Sequence, residues 1–98
     1  MKKFVFLYQG QGQAEPTADS MKAWGDWFAR VGEHMVDSGN PFGAGRQVAP
    51  GGVSDLADDV APITGYSIVS AADLDAAEKL LDGCPMSTGV LIYEAMPM

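Results

Sequence analysis

The residues best suited to proton transfer in this sequence are His34, its only histidine, and Asp37, three residues further along the chain. Histidine is the side chain whose ordinary pKa lies nearest neutrality. If both residues lie on one helix, side chains three apart can touch, and the carboxylate could orient the imidazole as a general base. The alternative is a histidine at the border of an apolar helix face, interacting with the helix C-terminus. We favour this alternative because helical spacing points Asp37 away from the core face.

Four further residues could contact a small ligand, namely Tyr8, Trp27, Arg46 and Tyr66. Tyr8 and Tyr66 lie in predicted strands and combine an apolar ring with a hydroxyl. They suit a ligand cleft or, as we favour, the rim of a dimer core. Trp27 lies about 90° from the centre of the apolar helix face, so it could form one wall of a pocket. Arg46, in a glycine-rich segment, could bind a ligand carboxylate, although a solvated loop arginine is the favoured interpretation.

The sequence predicts neither a cofactor nor a metal. The single cysteine, Cys84, excludes an internal disulfide and a cysteine-based metal cluster, and it lies on an apolar helix face where inert packing is expected. One histidine and scattered acidic residues do not provide the ligand spacing of a metal site. Gly10 and Gly12 follow a predicted strand. However, the third glycine of a dinucleotide fingerprint and the lysine of a phosphate loop are absent.

The composition predicts a small acidic globular protein. Thirteen acidic residues against six basic ones give a net charge of −7. A surface of this sign repels phosphate backbones and anionic lipid, so neither nucleic acid nor a membrane is an expected partner. The apolar run 4–8 falls short of the about 7–15 residues of a signal peptide, and no run approaches the about 20 residues of a membrane span. A cytoplasmic location is therefore expected.

The first half of the chain predicts a strand followed by a long helix. Residues 4–8, FVFLY, are apolar throughout and indicate the strand. A helix is expected after Pro16, with Thr17 or Ser20 as its N-cap, and Gly39 is expected to end it. Apolar residues advance in steps of three and four and predict one buried helix face. They are Met21, Trp24, Phe28, Val31 and Met35.

The second half predicts a loop over 53–62, three strands and a second helix. The elements are a short strand at 46–49, a strand at Ile63–Ala71, a helix at 74–82 capped by Asp73, and a strand at 89–96. The fold class is α+β, with a ferredoxin-like βαββαβ order and a four-stranded antiparallel sheet. Three strands are apolar on both faces, yet two helices can cover only one face. A homodimer that packs sheet against sheet, a dimeric α+β barrel, is therefore the expected assembly.

The segment GYSIVSAADLDAAEKLLDGCP, followed by a strand ending in IYEAMPM, resembles the C-terminal half of the YCII-related (DGPF-type) proteins. The start MKKFVFLYQG and the helix ending in DSGNPFGAG are also similar to that family. The resemblance implies a single YCII-like, ferredoxin-like domain over 1–98 and a dimeric α+β barrel. For some members it also implies a His–Asp pair in a cleft beside the sheet.

The sequence departs from that family at two places. Residues 54–59 read SDLADD where the Asp-Gly-Pro-Phe signature is expected. The start of the first helix reads MKAWGDW and lacks the histidine proposed as catalytic in some relatives. Because His34 lies near the opposite end of that helix, the catalytic role does not pass to it.

Two functions remain open from the sequence. In the first, a homodimer binds a small, mostly apolar molecule in a cleft between helix and sheet. In the second, the protein is a small enzyme of the isomerase, oxygenase or hydrolase kind on a dimeric α+β barrel, an idea that depends on fold analogy. The lack of a convincing acid–base pair favours the first, and the sequence leaves catalysis undecided.

Overall fold

The computed structural model describes residues 1–10, 17–43, 45–55, 63–86 and 88–97. Within these residues the chain forms two α-helices and a four-stranded antiparallel sheet, which confirms the α+β class. A 3₁₀ turn at Gly32–His34 follows the first helix. The elements are β1 Lys2–Gln9, α1 Ala18–Val31, β2 Met35–Asp37, β3 Arg46–Ala49, β4 Gly52–Asp55, β5 Ile63–Ala71, α2 Leu74–Lys79 and β6 Gly89–Ala95.

The main sheet has the strand order β2-β5-β1-β6. β1 is central: Phe6 lies opposite Ser67 of β5 and opposite Ile92 of β6. The strand predicted at 4–8 lies inside β1, and β5 has the predicted bounds. These two strands were predictable because both are rich in aromatic and β-branched residues.

One face of the sheet packs against both helices and forms the core. Phe4 and Phe6 of β1 are fully buried there, together with Val69 of β5. Val31 of α1 and Ala77 of α2 complete the same cluster. Side chains alternate along a strand, so every second residue of β1 and β5 faces the helices. Burial of each phenylalanine side chain contributes about 1.5–3 kcal/mol to the free energy of folding.

Helix α1 begins where the sequence predicted but ends earlier. Thr17 is the N-cap, and its side chain and that of Ser20 form a reciprocal capping box. The helix ends at Val31 because Gly32 has a φ of 57° and a non-helical ψ of −124°. The expected continuation of the apolar helix face to Met35 is therefore wrong, since Met35 begins β2.

The second strand of the sheet differs from the prediction. β2 takes the place at the sheet edge, beside β5, that was expected for residues 46–49. β3 instead pairs with β4 in a separate two-stranded hairpin whose residues are all exposed. β2 is placed by Met35, which packs against the core, whereas no residue of β3 is buried. The predicted loop over 53–62 begins as β4, and its residues 56–62 lie outside the described residues.

Helix α2 confirms its predicted N-cap but is shorter than expected. Asp73 accepts a hydrogen bond from the Ala76 backbone N–H. The helix ends at Lys79, because residues 80–84 form tight turns with bonds three residues apart, and Gly83 follows with a φ of 80°. Neither helix of the described chain has the length and apolarity needed to cross a membrane.

The opposite face of the sheet carries six apolar or aromatic residues that no helix covers, and we call it the open sheet face. Two cross-strand rows compose it: Tyr66, Leu7 and Leu91 in one, and Ile68, Val5 and Tyr93 in the other. Four of the six are half-buried, and Leu91 and Tyr93 of β6 are exposed. The prediction that these strands are apolar on both faces holds for β1, β5 and β6.

Candidate functional site

A cleft of about 590 Å³ opens between α1 and one end of the main sheet. Ligand pockets in proteins typically have volumes of about 300–1,000 Å³. Four segments contribute: the end of β1, helix α1, the chain that leaves β2, and the start of β5. The described lining residues are Tyr8, Trp24, Phe28, Ser38, Gly39, Asn40, Pro41, Thr64, Gly65 and Tyr66.

Aromatic rings form the helix side of this cleft. Trp24 meets Tyr8 edge to face, with ring centroids 5.2 Å apart, and lies 6.1 Å from Phe28. Edge-to-face and tilted pairs at such separations add attraction beyond simple burial. The cleft therefore presents a preformed apolar wall to a flat or aliphatic ligand.

The tryptophan of the cleft is Trp24, and not Trp27 as predicted. Trp27 is only 2% exposed, and its indole Nε1–H donates to the backbone oxygen of Leu80 at 2.9 Å. With that bond made, the whole indole can be buried in the core. Trp24 and Phe28, expected as core residues, are half-buried and line the cleft instead.

A buried hydrogen-bond relay lies behind the cleft. The Tyr8 hydroxyl donates to Ser67 Oγ at 2.8 Å, and Ser67 Oγ donates to the backbone oxygen of Ser38 at 2.7 Å. Ser67 is fully buried, so these bonds satisfy a hydroxyl that would otherwise be costly to bury. Sequence reasoning missed Ser67, although its position in phase with Val69 and Ala71 on one strand face could have indicated it.

Tyr66, one of the candidate ligand residues, lines the cleft and also belongs to the open sheet face. Its ring stacks on Phe42 with centroids 5.6 Å apart. Its hydroxyl donates to Asp37 Oδ2 at 3.4 Å, a long bond between exposed groups. Asp37 Oδ1 accepts from the Gly39 backbone N–H at 2.9 Å. Asp37 therefore orders the turn beside the cleft.

The helical His34–Asp37 pair does not exist. His34 ends the 3₁₀ turn and Asp37 belongs to β2, because the positive φ of Gly32 ends α1 before either residue. Neither residue lines the cleft. The backbone oxygen of His34 accepts a hydrogen bond from Ser70 Oγ at 3.5 Å. The general-base hypothesis thus loses the i,i+3 geometry on which it depended.

Arg46 does not line the cleft either. It lies on β3, where its Nε is 3.4 Å from Oδ1 of Asp55 across the hairpin. Both side chains are exposed, and an exposed ion pair of this kind contributes about 0–1 kcal/mol to stability. Arg46 is therefore a surface arginine of the hairpin, which agrees with the favoured interpretation.

Burial changes the acid–base behaviour of two groups near the core. Desolvation raises the pKa of the Tyr8 hydroxyl to about 12, although the hydrogen bond with Ser67 acts in the opposite direction. Desolvation also raises the pKa of the Cys84 thiol to about 11. Both groups are thus neutral near pH 7, which suits Tyr8 to hydrogen bonding and Cys84 to packing.

In the described residues, no cluster of three or more His, Cys, Asp or Glu could hold a metal ion.

These two pKa values predict a loss of stability in alkali. Each folded-state pKa lies above the ordinary value, 10.0 for tyrosine and 9.0 for cysteine. The stability is therefore fully present below about pH 9 and is lost as the pH rises through about 11 and 12. Urea denaturation between pH 8 and pH 12 should give a free energy of unfolding that falls as the pH rises. In Tyr8→Phe the decrease above pH 10 should be smaller than in the wild type. Val48→Ala, at an exposed hairpin position, is the control and should keep the wild-type slope; equal slopes for Tyr8→Phe and the wild type would contradict the prediction.

Comparisons of the chain with protein-family models, with curated proteins and with solved structures give no match. The resemblance to the YCII-related proteins therefore stays a prediction. The fold and the site define an α+β protein with an aromatic cleft between helix and sheet.

Proposed function

We propose that this protein binds a small, mostly apolar molecule in the cleft between α1 and the sheet. The observation that carries the proposal is the cleft itself: about 590 Å³, lined by the rings of Trp24 and Phe28 and by the hydroxyl-bearing Tyr8. A mainly apolar pocket with a few polar groups is the usual form of a small-molecule site.

The proposal includes a ferredoxin-like subunit of the YCII-related kind. Apart from the hairpin, the chain order is β1, α1, β2, β5, α2, β6, which supports the split βαβ arrangement. The pairing of β1 with both β5 and β6 at the sheet centre also supports it.

We further propose that the active form is a homodimer joined through the open sheet face. Support comes from the two rows of apolar residues centred on Val5 and Leu7, with Leu91 and Tyr93 exposed in the single chain. Sheets that pack face to face bury such rows with a spacing of about 10 Å. A second copy of the chain offers the same rows, and identical surfaces meet naturally in a twofold dimer.

An enzymatic role has less support than binding. The described lining of the cleft contains no histidine, lysine, arginine or carboxylate. Its buried hydroxyl, Tyr8, has a raised pKa and would be a poor proton donor near neutral pH. The isomerase, oxygenase or hydrolase alternative therefore depends on fold analogy alone.

The binding proposal can be tested with 2-naphthol, a flat aromatic probe with one hydroxyl. We expect chemical-shift changes in isotope-labelled protein at the amides of Gly39 and Gly65 and at the indole of Trp24. Trp24→Leu should weaken the affinity about tenfold or more, because an aromatic wall is lost. Val48→Ala, at a 76% exposed hairpin position, is the control. Shift changes confined to the open sheet face, or an unchanged affinity of Trp24→Leu, would overturn the proposal.

A further inference from the structure

We infer that the ligand of the cleft carries a hydrogen-bond donor, a hydroxyl or an amino group, and that carboxylates and phosphates are excluded. This inference depends on the proposed binding function. Its basis is the direction of the hydrogen bonds around Tyr8, since direction decides which partner a hydroxyl can still accept.

The relay behind the cleft has only one possible direction. The backbone oxygen of Ser38 can only accept, so Ser67 must give it its single proton over the 2.7 Å contact. Ser67 Oγ can then only accept over its 2.8 Å contact with Tyr8. The proton of Tyr8 is thereby committed to Ser67. Towards a ligand, the Tyr8 oxygen is available solely as an acceptor.

Two of the three other hydroxyls of the described lining, those of Thr64 and Tyr66, also donate to protein groups, whereas the exposed hydroxyl of Ser38 can donate as well as accept. Thr64 Oγ1 donates to the backbone oxygen of Tyr8 at 3.3 Å, and the Tyr66 hydroxyl donates to Asp37 Oδ2 at 3.4 Å. The oxygens remain as acceptors, while the protons point to protein groups. Three of the four described hydroxyls of the cleft therefore favour a donor ligand, and the buried relay through Tyr8 does so most strongly because its contacts are the shortest.

Charge strengthens this selection. An anionic ligand would meet no lysine, arginine or histidine in the described lining, and the whole chain carries a net charge of −7. A carboxylate loses its hydration on entering such a cleft and gains no cation in return. The exposed Asn40 amide can donate as well as accept, and the Trp24 indole N–H can only donate, but neither supplies the positive charge that would compensate a carboxylate for its lost hydration.

Three probes of the same shape test the inference on the wild-type protein: 2-naphthol, 2-methoxynaphthalene and 2-naphthoate. Calorimetry at pH 7 should rank them in that order. The methyl ether, which only accepts, should bind about tenfold more weakly than the naphthol, and the carboxylate about a hundredfold more weakly. Equal binding of naphthol and ether, or tighter binding of the carboxylate, would overturn the inference and leave the proposed cleft intact. No binding of any probe would overturn both.

Variants of the relay give the sharper test. Ser67→Ala frees the Tyr8 proton to donate to a ligand. The affinity of the ether should therefore rise, and the ether should bind at least as tightly as the naphthol. Tyr8→Phe removes the acceptor, so the two probes should bind equally. Trp24→Phe, which removes the indole N–H of the lining and retains the aromatic wall, should keep the wild-type preference. A tenfold preference for naphthol that survives in both Ser67→Ala and Tyr8→Phe would contradict the role of the relay. Since Tyr8→Phe leaves Ser67 in place, it provides a readout if the serine variant does not fold.

Discussion

Replacing Leu91 with aspartate is expected to convert the proposed dimer into a monomer. Leu91 lies on the open sheet face beside Leu7 and is 36% exposed in the single chain. In a sheet-on-sheet dimer its side chain would be buried, and a carboxylate there would lose its hydration without a partner. In a twofold dimer the substitution occurs twice, so a cost of about 2–3 kcal/mol per site weakens the dimer about 10³–10⁴-fold.

Sedimentation equilibrium at micromolar concentration measures this change directly. The matched control is Met21→Asp, which places the same charge at a 63% exposed apolar residue on the helix side of the sheet. The control should remain dimeric. A wild-type protein that sediments as a monomer, or a Leu91→Asp dimer of unchanged dissociation constant, would rule out the open sheet face as an interface.

Gly39→Ala is expected to be the most destabilising change beside the cleft. Gly39 has a φ of 79°, where a residue with a Cβ atom is disfavoured by about 1–2 kcal/mol. A Cβ atom there would also clash with the backbone oxygen of Tyr66, so the chain would have to move. Together these effects should lower the free energy of unfolding by about 3 kcal/mol or more, a large fraction of a typical total of about 5–15 kcal/mol.

Urea denaturation of Gly39→Ala tests this prediction, and 2-naphthol affinity should fall as well because Gly39 lines the cleft. Gly25→Ala is the matched control: Gly25 lies inside α1, is exposed, and its added Cβ would meet nothing within 4 Å. That control should gain about 1 kcal/mol from helix propensity. A Gly39→Ala variant as stable as the wild type would show that the turn between β2 and the cleft tolerates a side chain.

The parts of the fold that local patterns encode were predictable. Asp73 was expected as an N-cap, and Thr17 was one of two candidates beside Ser20, because a side chain that accepts from a backbone N–H two or three residues later is a local signal. Ile63–Ala71 was expected as a strand for an equally local reason, its composition. The end of α1 was missed, since Gly39 was expected to end the helix and the positive φ of Gly32 is visible only in the structure.

The candidate site was predictable only in part. Tyr8 and Tyr66 do line the cleft, and both were recognisable as amphipathic aromatics on central strands. The choice between Trp24 and Trp27 was missed, because the rotation of α1 about its axis depends on the indole bond from Trp27 to Leu80, 53 residues away. His34 was considered a candidate base on the assumption of a continuous helix, which the chain does not form.

By itself the sequence determined the α+β class, the apolar rows on both sides of the strands, and the acidic surface. Each of these follows from residue type and short-range spacing. Only the tertiary structure decided which edge strand joins β5, which tryptophan faces the cleft, and that Ser67 connects Tyr8 to Ser38. The physical reason is that these features depend on contacts between residues far apart in the chain, where the packing of one element fixes the rotation and register of another.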